Sequence, residues 1–234
     1  MRGYKGPEME KQKRKMDKRL LPVLFLLLAC GITLSLAASV FAFFPFDLAI
    51  TRDLQEEENP VFAAVMKGIS ALGDGWMPLI LAGAVTAIFV LRRRRLEAVF
   101  VVATLSSVLL ASAIKVLVGR PRPPSFFPDP ADFFRFINQY SYPSGHVLFF
   151  VAFFGFLAFL AWVYLAGWKR LTVIAVCGAL IMLIGPSRIY VGAHWASDVI
   201  GSYIMGTLLL CILMLGYLLA LERRNKRAEA RGVG

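Results

Sequence analysis

The chain has 234 residues, 58% of them hydrophobic and only 18% charged, with a formal net charge of +11. So apolar a composition excludes an ordinary soluble domain. The basic excess does not point to nucleic acid, because the clusters that carry it lack interleaved aromatics and any recognised nucleic-acid module.

A bilayer core about 30 Å thick needs roughly 20 apolar residues of helix, each rising about 1.5 Å. In chain order, blocks that reach or approach this length are Leu20–Phe44, Trp76–Leu91, Leu96–Val118, Val147–Trp168, a shorter Leu171–Gly185, and Val199–Leu221. Backbone polar groups find no water in lipid, so each block is expected to be helical. The predicted fold is all-α: one multi-pass membrane domain of six transmembrane helices over residues 20–221, between basic, frayed tails at 1–19 and 222–234. The first block, at about 25 apolar residues, exceeds a signal-peptide core and reads as a retained signal anchor. Cys30, Cys177 and Cys211 fall inside spans and read as small buried hydrophobes, not as a disulfide framework or a metal site.

Four basic clusters, Arg2–Arg19, Arg92–Arg95, Lys169–Arg170 and Arg223–Arg231, hold 19 of the 26 Lys and Arg. Six crossings bring all four to one side, and the positive-inside rule makes that side, with both termini, cytoplasmic. The opposite side carries 9 of the 15 acidic residues and comprises the segments Pro45–Gly75, Gly119–Gly145 and Pro186–Asp198. In the first, Phe62, Val65, Met66, Ile69 and Leu72 recur at helical spacing. They predict an amphipathic helix, either lying on the outer membrane surface or packed over the bundle. The prolines and aromatics of the second predict an irregular lid or wall with short helical turns.

Seven cations fall on or near the outer side against this trend: Arg52, Lys67, Lys115, Arg120, Arg122, Arg135 and Arg188. Lys115 lies in the last turn of the third span, where an ionisable group is costly and marks function unless it snorkels to the headgroups. Arg122 follows seven residues later, and Arg188 stands at the outer end of the fifth span. Brought to one membrane face, the three would form an anion site. The only two histidines, His146 and His194, fall at the same boundary. His194 and Asp198 are four apart, so on a helix a carboxylate could fix the imidazole tautomer, although a purely structural pair has the same spacing. Pro143-Ser144-Gly145-His146 opens the fourth span. Ser144 suits an N-cap, Gly145 lets a ligand approach the backbone, and free amides at a helix start bind phosphate.

Three chemistries compete for these residues. A zinc site of His146, His194 and Asp198 is disfavoured by three cations around a dication. A Ser144–His194–Asp198 hydrolase lacks the nucleophile-elbow context and leaves the cations without a purpose. Phosphoryl transfer uses every part: cations and amides hold the equatorial oxygens, one histidine attacks, and the other protonates the leaving oxygen. A transporter or flippase for anionic lipid is the alternative outside enzymology. It is disfavoured because the polar groups gather at one end and not at the midplane.

The motifs Lys115-x6-Arg122-Pro123, Pro143-Ser144-Gly145-His146 and Ser187-Arg188-x5-His194-x3-Asp198 together resemble those of the type-2 phosphatidic acid phosphatase family. These are integral membrane lipid phosphatases related to the soluble vanadium haloperoxidases. The resemblance implies that His194 attacks phosphorus to form a phosphohistidine, Asp198 orients it, and His146 is the general acid. Lys115, Arg122, Ser144, the Gly145 amide and Arg188 would hold the phosphate, with no metal or other cofactor. Spacing from Lys115 favours Arg122 over Arg120 as the phosphate ligand. Bacterial members suggest undecaprenyl pyrophosphate, phosphatidylglycerophosphate or phosphatidic acid as the lipid phosphate. The expected setting is the cell (inner) membrane, with the site facing the periplasm or exterior and the short fifth span sinking Arg188 slightly into the outer leaflet.

Overall fold

The structure, a computed structural model, describes residues 6–124 and 139–230, with side chains from Leu21 onward. Among the described residues the regular structure is helical: α1 Gly6–Val40, α2 Pro45–Gln55, α3 Pro60–Ala71, α4 Met77–Leu91, α5 Arg95–Ala103, α6 Ser106–Val118, α7 Gly145–Tyr164, α8 Gly167–Tyr190 and α9 Ala196–Ala230. Local chemistry sets several boundaries. Proline opens α2 and α3, where its missing N–H costs nothing. The Asn59 side chain accepts from the Val61 and Phe62 amides at 2.9 and 3.2 Å, capping α3. Gly119, with φ +66°, closes α6 in the left-handed conformation that a side chain disfavours.

The core is organised around α7, which packs against α8, α9, α6 and α5. A helix apolar on every side belongs at the centre of a bundle. Val147 to Phe154 are all buried, and the Phe149 and Phe153 rings stack at 5.1 Å. Close approach of α9 depends on a small residue, since a Cβ at Gly206 would lie 2.9 Å from Val151.

Among the described residues, five stretches are long and apolar enough to cross a membrane: Leu21–Val40, Arg95–Val118, Gly145–Tyr164, Gly167–Tyr190 and Ala196–Ala230. The short block of the sequence is not where the lengths of the apolar runs placed it. Helix α8 runs 24 residues, through Pro186 to Tyr190, because a proline near a helix end removes one backbone bond without stopping the helix. Arg188 therefore sits in the last turn of a full-length helix, and α4, at 15 residues, is the short one. The Arg95–Val118 stretch is broken at Thr104–Leu105, where the Thr104 hydroxyl donates to the Val101 carbonyl at 2.6 Å.

The first outer segment forms two helices instead of one. Of the two placements open for its apolar stripe, the structure has α3 packed over the bundle, with Met66 buried and Phe62 edge-on to Tyr190 at 5.4 Å. The C-terminal tail, expected to fray, continues α9 to Ala230. Its Arg, Lys, Glu and Ala are strong helix formers, and Lys226 pairs with Glu222 at 2.9 Å. The α1 backbone likewise begins at Gly6. Most of the predicted lid, Arg135 included, lies outside the described residues. Its two ends are tied together by the Ser141 amide, which donates to the Arg120 carbonyl at 2.8 Å.

Candidate active site

Four parts of the fold meet at one end of α7. The last turn of α6 supplies Lys115, which is buried. Beyond Gly119 the two arginines of the Gly-Arg-Pro-Arg-Pro stretch part company. Arg120 is fully buried and extensively bonded: its guanidinium donates to Asp198 at 2.5 Å, Ser197 at 2.7 Å, Asp47 at 3.0 Å, and the Phe41 and Ala42 carbonyls at 3.2 and 3.1 Å. Arg122 instead donates to the Ala193 carbonyl at 2.6 Å, beside His194. The geometry thus brings Arg122, and not Arg120, to the histidine.

His194 lies in the turn between α8 and α9 and is 1% exposed. Burial holds its imidazole well below the ordinary value of 6.5, and the charges of Arg122, Arg188, Lys115 and His146 act in the same direction. Lys115, Arg122, His146 and Arg188, which come from different elements of the chain, thus all act on one ring.

The expected His194–Asp198 hydrogen bond is not formed. Nδ1 of His194 stands 3.7 Å from Asp198 Oδ2 and has no hydrogen-bond partner among the described residues. His194 precedes the helix, so the two residues do not share a helical face; Asp198 is in the first turn of α9. Its Oδ2 reaches back to the Trp195 amide at 2.9 Å and accepts from the Ser141 hydroxyl, while Arg120 holds Oδ1. An acid three residues after the helix-capping position, bonded back to that position's amide, is half of a capping box. Asp198 therefore anchors the helix start as well as facing the histidine.

The start of α7 forms the other wall. Ser144 occupies the capping position with extended backbone, φ −73° and ψ 110°, but its side chain makes no capping bond. Its Oγ is buried without a partner among the described residues. The Ser144 amide donates to Ser202 Oγ at 2.7 Å, and that hydroxyl donates to the Asp198 carbonyl at 2.6 Å, tying α7 to α9. The Gly145, His146 and Val147 amides precede the first intrahelical bond, Leu148 N–H to Ser144 carbonyl at 3.1 Å. A Cβ on Gly145 would meet the Ala111 Cβ at 3.7 Å, an ordinary contact.

His146 Nε2 lies 2.7 Å from Asp74 Oδ1, in the turn between α3 and α4. The same oxygen is 3.4 Å from Arg188 Nη1, which also donates to the Ser70 hydroxyl. Burial works to raise the Asp74 carboxyl, but its contacts with His146 and Arg188 outweigh this and hold it below the ordinary value of 3.8. Arg188 Nε is buried without a partner among the described residues.

This arrangement bears on the competing chemistries. Asp198 is bound by Arg120 and His146 by Asp74, so His146, His194 and Asp198 do not form a ligand set. The Ser144 hydroxyl makes no hydrogen bond to His194, as a serine nucleophile would require. Sequence reasoning did not single out Asp74, Asp47, Ser141 or Ser202. Asp47 carried one available signal: an acid in the first turn of a proline-started helix, where it accepts from the Phe44 amide at 2.9 Å. Asp74 carried only its position between two turn glycines.

The chain is 27% identical over 191 residues to phosphatidylglycerophosphatase B of Bacillus subtilis, covering 79% of this chain and 87% of that protein. It is 29% identical over 141 residues to an undecaprenyl-diphosphatase of Sulfolobus acidocaldarius, covering 56% of this chain and 58% of the relative. The fold superposes on the crystal structure of the B. subtilis transmembrane PAP2-type phosphatidylglycerolphosphate phosphatase with a TM-score of 0.69 at 25% identity, covering 82% of this chain and 94% of that one. Aquifex aeolicus LpxE shares the fold with a TM-score of 0.54 at 21% identity, over 73% and 96% of the two chains. Residues 96–220, which contain all three motifs, match the PAP2 superfamily. The chain belongs to the PAP2 superfamily and is a membrane phosphatase of its lipid phosphate class.

Proposed function

We propose that the protein removes phosphate from a lipid phosphomonoester or diphosphate through a covalent phosphohistidine on His194. The observation that carries this reading is one buried imidazole with Arg122 bonded to the adjacent Ala193 carbonyl at 2.6 Å and with Arg188 and Lys115 acting on the ring electrostatically. Such a site favours the neutral, nucleophilic form of the ring and a polyanion beside it. Nε2 of His194 attacks phosphorus, because Nδ1 faces Asp198. The 3.7 Å separation shortens to a hydrogen bond as positive charge develops on the ring, in keeping with the looser geometry of substrate-free sites. Lys115, Arg122, Arg188, the Ser144 hydroxyl and the Gly145 amide hold the phosphoryl oxygens. His146 protonates the leaving oxygen, and water then hydrolyses the phosphohistidine. No metal takes part.

The six-crossing topology belongs to the same reading. Helix α4, about 22 Å long at 1.5 Å per residue, makes the sixth crossing with the bilayer thinned around it. Both termini are then cytoplasmic, and the site faces outward at headgroup depth in the cell membrane. The substrate is drawn from phosphatidylglycerophosphate, undecaprenyl diphosphate and phosphatidic acid. The relatives' names favour the first two. The test is transfer of a labelled terminal phosphoryl group from each of these lipids to the protein during turnover, with His194→Ala as control.

A further inference from the structure

We propose that Asp74 is the positioning residue for the proton donor: its carboxylate accepts from Nε2–H of His146 and presents Nδ1–H to the leaving oxygen. The inference rests on the phosphoryl-transfer reading above and adds to it a residue outside all three motifs, on a turn that precedes the PAP2 match.

The geometry is specific. Asp74 Oδ1 lies 2.7 Å from His146 Nε2, a charge-assisted hydrogen-bond distance. The preceding residue is glycine, and a Cβ there would run into the imidazole ring. The Ser70 hydroxyl, one turn back on α3, takes Arg188, so the α3–α4 turn contacts both the acid and a phosphate-binding cation. Among the described residues, Arg188 from α8 and Lys115 from α6 act on His146 as cations, and Asp74 acts on it as an acid. Arg188 and Lys115 oppose a proton on His146, Asp74 offsets part of that opposition, and the negative charge of the bound phosphate adds to the offset.

The step balances. As the His194 Nε2–P bond forms, the bond from phosphorus to the leaving oxygen breaks, and its electron pair stays on that oxygen. The oxygen takes the proton from His146 Nδ1. His146 ends neutral, with Nε2–H still donated to Asp74. His194 and His146 would then each face a carboxylate through one ring nitrogen and the phosphoryl group through the other.

The carboxylate of Asp74 is 57% exposed, so Asn should be accommodated without loss of fold. The experiment compares kcat/KM for two soluble phosphomonoesters, hexyl phosphate and 4-nitrophenyl phosphate, in wild type and Asp74→Asn. The hexyl alkoxide is strongly basic and needs a proton to leave; nitrophenolate does not. Loss of a general acid costs about 10²–10⁴-fold, and loss of its positioning partner is expected to cost roughly 10–100-fold on the hexyl ester. On the nitrophenyl ester the cost should be less than about threefold. In a His146→Ala background the same substitution should add less than about threefold, because the two residues act as a unit. Asp74→Glu should recover part of the hexyl activity.

Equal losses on both esters, or a full additional loss in the His146→Ala background, would overturn the assignment. So would a lower KM for both esters at unchanged kcat, which would make Asp74 an internal anion competing with phosphate for Arg188. A wild type that hydrolyses neither ester nor any lipid phosphate would fail at the earlier step, the phosphatase mechanism itself.

Discussion

His194 combines a nucleophile's need for a free electron pair with a phosphate site's need for positive charge. The two needs agree, because burial and the cations both disfavour the imidazolium form. The ring is therefore neutral well below pH 6.5 in the free enzyme. The sign for stability follows. An unfolded chain takes up this proton near 6.5 and the folded one does not. The site's contribution is thus complete above 6.5 and falls by roughly 1.4 kcal/mol per pH unit as pH drops toward the folded value. Two histidines give only two sets of ring signals, so NMR titration of histidine-labelled protein, assigned with His146→Ala, reads the value directly. The His194 midpoint is expected well below 6.5, and to rise in Arg122→Gln; a midpoint at or above 6.5 in wild type contradicts the electrostatic account. At this scale the motif residues were legible, because cations and histidines are conspicuous in an apolar chain. Asp74 was not legible: one acid in a glycine turn carries no spacing that ties it to a histidine 72 residues on.

Among elements, the joint between the α2 start, the segment carrying Arg120 after α6 and the α9 start holds the His194 wall in place. Asp47 receives the Ser197 amide and hydroxyl, both at 2.7 Å, while Arg120 bridges Asp47 to Asp198. Removing Arg120 leaves two buried carboxylates without their cation, a loss that typically costs about 3–5 kcal/mol. Arg120→Met is expected to lower the thermal midpoint in detergent sharply and to reduce activity in step with folded fraction. Wild-type stability with selectively lost phosphate affinity would instead make Arg120 a ligand of the substrate. The Gly-Arg-Pro-Arg-Pro sequence offers two arginines of equal chemistry. Only a fold that puts Asp47 beside one of them separates their roles. Helix lengths were legible only within limits: Pro186 reads as a terminator, yet α8 continues past it to Tyr190.

For the whole molecule, hydropathy and basic clusters gave the all-helical membrane architecture, because lipid leaves the backbone no other economical solution. They did not give α2, whose Thr51 and Asp47 are buried by contacts from distant segments, nor the packing of α3 on α8. The proposed topology is checked by single cysteines in a background lacking Cys30, Cys177 and Cys211. Glu57→Cys, in the exposed α2–α3 turn, is expected to react with an impermeant thiol reagent on intact cells, and Arg93→Cys only after permeabilisation. The opposite pattern inverts the orientation and moves the site to the cytoplasmic face.

The central claim is that His194 carries the phosphoryl group, and the most direct measurement is rapid quench of the enzyme with lipid labelled in its terminal phosphate. Wild-type protein should trap label that is stable to base and released by acid, as a phosphoramidate is. His194→Ala should trap none and release no phosphate, while His146→Ala slows formation of the trapped species. Turnover by wild type without labelled protein, or equal labelling in His194→Ala, would contradict the account.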